Sequence, residues 1–354
     1  MKLTRSEFQN YIHSYEQDEI FYRDLYFAEK EHPETFMEYC QSLDREMIAQ
    51  RKLYVPALRK EGWLPYLNEG TLFQDFTGDI MLSKHYRYTP AFAHEHEFFE
   101  IMCIYDGTVK TTIQGIPHTL QQGDVCIIPP HTRHSVSIFD DSIAINILVR
   151  TSAFQSTFFQ TLTADSALSQ FFTHVLYHKT EGNFLIFHTG NDKIVMKSVE
   201  KLFIEYLGHE KYSYTFLNSM LILFWAKLLR YHENDIESNL TKETTGSSMT
   251  EILNYLNQNF QIASLSDTAA HFGYSSSHFS KLIKEGTGRT FLQIIRDIKL
   301  NQACRALRET TLSIPSICKL VGYETTEHFM RTFKKAYGMT PGEYRKTSSS
   351  LLEK

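Results

Sequence analysis

Five residues in the first half of the chain have types and spacing that could do chemistry: His94, His96, Phe98 and Glu100 at alternate positions, and His134 further on. On a β-strand, alternate side chains share one face, so the first four are expected to point together into the inside of a barrel. His134, on a neighbouring strand, would complete the group. Three imidazoles and one carboxylate suit a divalent zinc, iron, nickel or manganese ion, with positions left for water or a ligand. The same groups, with the imidazoles neutral, can hydrogen-bond the hydroxyls of a metal-free ligand such as a sugar. Phe98 could stack on a pyranose ring or simply fill the core, and the polar residues could serve structure alone. No separate acid, base or nucleophile constellation stands near the motif, so catalysis is not expected.

The surroundings have the texture such a site needs. Between 71 and 150 short apolar runs at 101–105, 108–113, 125–128 and 143–149 are separated by Asp106-Gly107, Gln114-Gly115 and Pro129-Pro130, which reads as an antiparallel sandwich or barrel. His85, Arg87 and Tyr88 lie on the preceding strand, whose inward parity the sequence leaves open. The run His94-x-His96-x3-Glu100-x6-Gly107, followed by Gly123-x5-Pro129-x4-His134, resembles the two consensus stretches of the cupin barrel. It departs from them at His131, where the consensus has glycine, and at Ile138, where it has asparagine. The resemblance implies either a divalent metal on the three histidines and the glutamate or a polar effector held by them.

A second kind of chemistry is written into the last hundred residues, which carry one pattern twice. Phe279-Ser-Lys-Leu-Ile-Lys284 with Gly288 is matched by Phe329-Met-Arg-Thr-Phe-Lys334 with Gly338, and Gly273-Tyr274 and Gly322-Tyr323 precede the two copies. Each copy reads as two short helices around a glycine turn, with helices over 265–272, 276–285, 314–320 and 325–337 and a long linking helix over 291–308. Ser275 and Ser313 stand where N-caps belong, and Pro315 falls in a first turn, where its missing N–H costs nothing. Charge divides the same way. Residues 247–354 hold 14 Lys and Arg against 9 Asp and Glu, while the rest holds 22 against 32, an acidic body with a basic end.

With Arg296-x-x-Lys299-Leu300-x-x-Ala303-Cys304 and the run from Gly322 to Arg345, this end resembles the DNA-binding domain of the AraC family of transcription regulators. The resemblance implies two recognition helices in successive major-groove segments of double-stranded DNA, about 34 Å apart. By that likeness Ser277, Ser280 and Lys281 on the first helix, and Thr326, Glu327 and Arg331 on the second, face the bases. Arg331 is the best placed to pair with guanine O6 and N7. Lys284, Lys334, Lys335 and Arg345 are expected to hold phosphates.

The remaining segments frame these two sites. Residues 1–62 carry apolar positions at helical spacing with a break at His32-Pro33, and can pack on the barrel, join a dimer or cover the pocket. Residues 151–236 return to helix, with 192–207 and 214–231 so apolar that packing against each other and a homodimer interface are both expected. Residues 237–249 read as a polar linker. Ordinary proportions, 42% hydrophobic and 22% charged, exclude a disordered chain, and no apolar run reaches membrane-spanning length. Five cysteines without a C-x-x-C pair, and a start with no secretory leader, point to reduced thiols in the cytoplasm.

The expected fold class is therefore α+β and multidomain. A helical segment (1–62) precedes a cupin-like antiparallel barrel (63–150), a helical dimerisation or connector region (151–236), a linker (237–249) and an all-α double helix-turn-helix domain (250–346). The expected function is a DNA-binding transcription regulator, not an enzyme, controlled by a small polar effector of carbohydrate type and requiring no cofactor, with RNA polymerase as a further partner the resemblance allows. Two alternatives stay open: a metal-dependent cupin enzyme tethered to a DNA-binding domain, and a ligand-independent regulator whose barrel makes protein contacts.

Overall fold

The computed structural model describes residues 3–58, 66–69, 73, 78–151, 153–154, 184–238 and 246–349. Trp63 and Pro65, with most of the expected linker (239–245), lie outside them.

Four short helices open the chain: α1 (Arg5–His13), α2 (Gln17–Glu31), α3 (Phe36–Ser42) and α4 (Arg45–Gln50). Thr4 and Glu7 close a reciprocal capping box at the first of them, and the chain leaves α2 at His32, before the proline. The segment packs on the barrel. Glu19 is fully buried and receives Lys84 at 2.6 Å and Arg87 at 2.8 Å, so one carboxylate on α2 meets two cations from the edge of the barrel.

The barrel is built from two main sheets. Strands β2 (Ile80–Lys84), β4 (Phe99–Asp106), β7 (Val125–Ile128), β9 (Ile143–Val149), β10 (Leu185–Phe187) and β11 (Ile236–Ser238) form a six-stranded sheet in the order β11-β10-β7-β4-β9-β2. Strands β5 (Thr108–Ile113), β6 (Ile116–Gln121) and β8 (His134–Ser137) form the second in the order β6-β5-β8. A short parallel pair joins β1 (Tyr66–Leu67) to β3 (Glu95–His96). The inner face of the larger sheet, with Met102, Ile104, Cys126, Ile128 and Ala144, packs on Val109, Ile113, Leu120 and Val136 of the smaller one. Its outer face, with Phe99, Ile101, Cys103, Ile145 and Ile147, is covered by α1 and by two long helices, α5 (Lys193–Gly208) and α6 (Ser213–His232). Burial on both faces explains why β9 is apolar at every position but Asn146 rather than alternating.

The four expected strands and the paired long helices are present. The structure differs in taking β10 and β11 into the barrel from beyond residue 150, where helix and linker were expected. Three-residue strands carry no period to read, and only the pairing of β10 with β7 and of β11 with β10 defines them.

The C-terminal helices are α7 (Gly246–Asn259), α8 (Leu265–His271), α9 (Ser276–Thr287), α10 (Phe291–Glu309), α11 (Ile314–Leu320), α12 (Thr326–Tyr337) and α13 (Pro341–Ser349). Ser275 and Ser313 cap α9 and α11 through their side chains, as expected, and Thr325 caps α12. Gly273 and Gly322 turn each motif at φ near +75°, a conformation that a β-carbon disfavours. Phe279 and Ile283 of the first motif, and Phe329 and Phe333 of the second, are buried in separate clusters on either side of α10.

Candidate functional site

The structure gathers His94, His96, Phe98, Glu100 and His134, but not along one straight strand as the alternation implied. His94 sits in an isolated bridge to His134, β3 ends at His96, and β4 starts only at Phe99. The interruption at 97–98 follows from competing partners. The Glu97 N–H donates to Leu67 O, its carboxylate accepts the Glu69 N–H, and its carbonyl accepts the Thr151 hydroxyl. These bonds pull the chain off the ladder and bring Glu100 back beneath His96. His131, standing where the cupin consensus has glycine, takes φ +60° and donates its N–H to His96 O at 2.8 Å, so the backbone shape is kept without the glycine.

Glu100 is the hub. Its Oε2 lies 3.1 Å from His134 Nε2 and 3.2 Å from His96 Nε2. Burial alone would raise the pKa of this carboxyl, but the close contacts and charge of the two imidazoles outweigh it and hold it well below the usual range, as carboxylate. His134 Nδ1 faces Thr132 O at 3.0 Å while its Nε2 faces Glu100. Both ring nitrogens thus face acceptor oxygens. His94 is pushed down to about 3, first by burial and then by His134, and its Nδ1 lies 3.3 Å from Phe92 O. The His96 ring stacks on Phe98 with centroids 4.4 Å apart; burial pulls its pKa down, and among the described residues neither of its nitrogens makes an aligned hydrogen bond.

These residues also fit a metal in part. Donor atoms of His94, Glu100 and His134 lie within 4.8 Å of one another, and the Nδ1 atoms of both histidines face backbone carbonyls, which turns Nε2 toward the centre. His96, the fourth residue of the expected set, falls outside that group.

The site is larger than the motif. Asn146, opposite Met102 on β9 and therefore on the inner face with Glu100, is 8% exposed with an Oδ1 that has no partner among the described residues. His85 feels the charges of Glu100 and His134, and burial, its largest influence, lowers its pKa. Phe73, Leu148, Leu67 and Met81 add an apolar wall around Phe98. Tyr54, from the helical segment, packs on Phe92 at 4.6 Å and so reaches the rim. The inward parity of β2 comes from its register with β9, Ser83 against Asn146, and no local signal in the sequence carries it. Arg87 and Tyr88 turn away, to Glu19 and to the aromatic rings of α2.

In the C-terminal domain, Ser277, Lys281 and Lys284 on α9 and Glu327, Arg331, Lys334 and Lys335 on α12 are exposed, with Ser280 and Thr326 half-buried beside them. Opposite each face lie Phe279 and Ile283, or Phe329 and Phe333, so the polar residues are presented outward by their own core. Lys281 pairs with Glu285 at 3.7 Å on the surface. Arg345 is half-buried and donates to Leu312 O, which commits part of its guanidinium to its own domain. Lys299 donates to Gly322 O at 2.6 Å and Gln261 to Leu320 O at 2.7 Å, two bonds that fix the second motif's turn and that the sequence did not reveal.

Two family models match the chain: an AraC-like ligand binding domain over residues 81–181 and a helix-turn-helix domain over 268–347. The HTH-type transcriptional activator RhaS of Klebsiella pneumoniae is 26% identical over 266 residues, 73% of this chain and 89% of that protein. RhaS of an Escherichia coli K12 strain is 25% identical over 262 residues, with the same shares. Among solved structures, ToxT from Vibrio cholerae with a bound unsaturated fatty acid is similar at 16% identity and a TM-score of 0.34, over 78% of this chain and 97% of its own. The C-terminal domain of AraT, a response regulator from Geobacillus stearothermophilus, is 29% identical with a TM-score of 0.28, over 30% of this chain and 88% of its own.

Proposed function

Since the chain is a DNA-binding transcription regulator of the AraC family, with an AraC-like ligand-binding domain ahead of its helix-turn-helix domain, we propose that the barrel senses a small polyhydroxylated molecule, a sugar or sugar derivative. The observation that carries this is a mismatch inside the barrel: buried polar atoms without aligned hydrogen bonds. Among the described residues Asn146 Oδ1 has no partner and the His96 nitrogens make no aligned hydrogen bond, beside a carboxylate already held ionised, and such groups cost about 1–3 kcal/mol each when left unmade. Hydroxyls supply donors and acceptors at that density, and Phe98 and Phe73 offer the apolar face that a sugar ring covers. The relatives' name as activators favours activation here, with RNA polymerase as partner, and exposed Phe216 and Leu223 on α6 favour a homodimer.

A bound ligand shifts the balance between two arrangements of the molecule only through a difference in affinity for them. The test is thermal unfolding of the full chain against hexoses, pentoses, deoxysugars and sugar acids, with and without chelator. A ligand at a hundredfold excess over Kd stabilises the folded chain by about 2.7 kcal/mol. A shift with one sugar that survives chelation is the expected result, and no shift across the panel overturns it. A shift that needs zinc or manganese supports the second reading, favoured by the three-residue donor group, in which His94, Glu100 and His134 hold a metal that polarises the ligand's hydroxyls.

A further inference from the structure

The acidic side chain of the barrel most isolated from water belongs to Asp79, just before β2, and its partner comes from the other end of the chain. Arg308, near the C-terminal end of α10, donates from Nη2 to Asp79 Oδ1, with the two side chains 4% and 1% exposed. The Tyr214 hydroxyl of α6 donates to the other carboxylate oxygen, and Arg308 Nη1 donates to the Tyr344 hydroxyl of α13 at 2.8 Å. A single carboxylate on the barrel therefore ties together the ligand-binding domain, the long connector helix and two helices of the DNA-binding domain.

That carboxylate is also connected to the pocket by an unbroken run of contacts. His96 stacks on Phe98. Phe98 meets Phe73 edge-on at 5.8 Å, and the Arg150 guanidinium sits 4.3 Å above the Phe73 ring. Arg150 Nε lies 3.8 Å from Asp79 Oδ1, and the Arg150 N–H donates to Asp79 O at 2.9 Å. A ligand that leans on Phe98 displaces the ring that supports Arg150, and Arg150 and Arg308 share Asp79. In a packed interior such a shared counter-charge has few intermediate arrangements.

We propose that the Asp79–Arg308 contact is the joint through which the barrel's pocket sets the orientation of the DNA-binding domain. Asp79 and Arg308 are positioning residues; neither touches ligand or DNA. The inference builds on the barrel as sensor, but its test reads domain geometry without ligand, so either can fail alone. Nitroxide labels on exposed Thr119→Cys of the barrel and Lys319→Cys of the DNA-binding domain report the separation of the two bodies in the full chain, whose five native thiols are buried. The expected result is one narrow distance distribution that becomes at least twofold broader with Arg308→Gln, and broader again than the unsubstituted chain with Phe73→Leu, which leaves both charges in place. An unchanged distribution in Arg308→Gln overturns the joint. Broadening there without any in Phe73→Leu overturns its link to the pocket. If Arg308→Gln does not fold, Arg308→Lys replaces it with the same two outcomes, since it lacks the guanidinium fork that reaches Asp79 and Tyr344 from two separate nitrogens.

Discussion

His96 shows how a residue can be worse for stability and better for function. Its ring is fully buried and stacked on Phe98, yet among the described residues neither nitrogen has an aligned partner, so the fold gains from the ring and loses from the heteroatoms. His96→Phe keeps the stack and removes the unpaired nitrogens, and is expected to raise stability by about 1 kcal/mol while abolishing the ligand-induced rise in unfolding temperature. Retention of that rise would remove His96 from the site. Arg331 is the corresponding residue of the other domain, exposed on α12. Arg331→Ala is expected to cost ~1–3 kcal/mol on a selected DNA site and to relax preference at one base pair. Equal losses on selected and random duplexes, measured at one salt concentration, would reduce it to a phosphate contact. The identities of both residues were legible because type and spacing are local. His85 and Asn146 were not, since which parity of β2 and β9 faces inward is settled by pairing between segments some sixty residues apart.

At the level of elements, caps and turns were legible for the same reason of locality. Ser275, Ser313 and the four positive-φ glycines at 273, 288, 322 and 338 act within a few residues of themselves. Two of those glycines separate backbone preference from crowding. A β-carbon at Gly338 meets nothing within 4 Å, so Gly338→Ala should cost only the left-handed conformation, ~1–2 kcal/mol. At Gly322 it would lie 2.7 Å from Gln261 O, so Gly322→Ala should cost more and should also disturb the turn that Lys299 and Gln261 hold. Equal unfolding midpoints for the two variants would contradict the crowding. Helix α2 depends on a different kind of bond. Burial would raise the pKa of Glu19, but hydrogen bonds from Arg87 and Lys84 outweigh it and lower it. A carboxylate with a depressed folded pKa contributes stability that is present above its unfolded value, about 4.3, and is lost as pH falls through the folded one. Acid titration should therefore release the N-terminal helices below pH ~4, and Glu19→Gln should cost about 3–5 kcal/mol at neutral pH by stranding two buried cations. A Glu19→Gln chain as stable as the original at pH 7 would exclude this anchor. The short strands β10 and β11, by contrast, had no signature: three residues establish no period, and only the edge of β7 for β10, and that of β10 for β11, makes them strands.

For the whole molecule, charge and symmetry pull the DNA affinity in opposite directions. The basic end, +5 over residues 247–354, is attached to a body of −10, so the body weakens attraction to any duplex. A homodimer through α6 would reverse that on a paired site, because the second DNA-binding end then binds from a high local concentration, a gain on the order of 10²-fold or more without a new contact. Exposed Phe216 and Leu223 stand two turns apart on α6, on the face that leaves the barrel uncovered, while Leu217, Leu221, Phe224 and Leu228 are buried. The two effects separate by the DNA used. On a random-sequence duplex, residues 246–354 alone should bind more tightly than the full chain, since removing the acidic body lifts the repulsion. On a duplex selected from a random pool by the full chain, the order should invert by ~10² or more, and Leu223→Glu should erase the inversion while leaving the random-duplex affinity of the full chain within a fewfold of its original value. Equal affinities of the isolated end and the full chain on the selected duplex would mean that one DNA-binding domain, with its two recognition helices, accounts for the whole of the specific binding, and the apolar face of α6 would then need another partner.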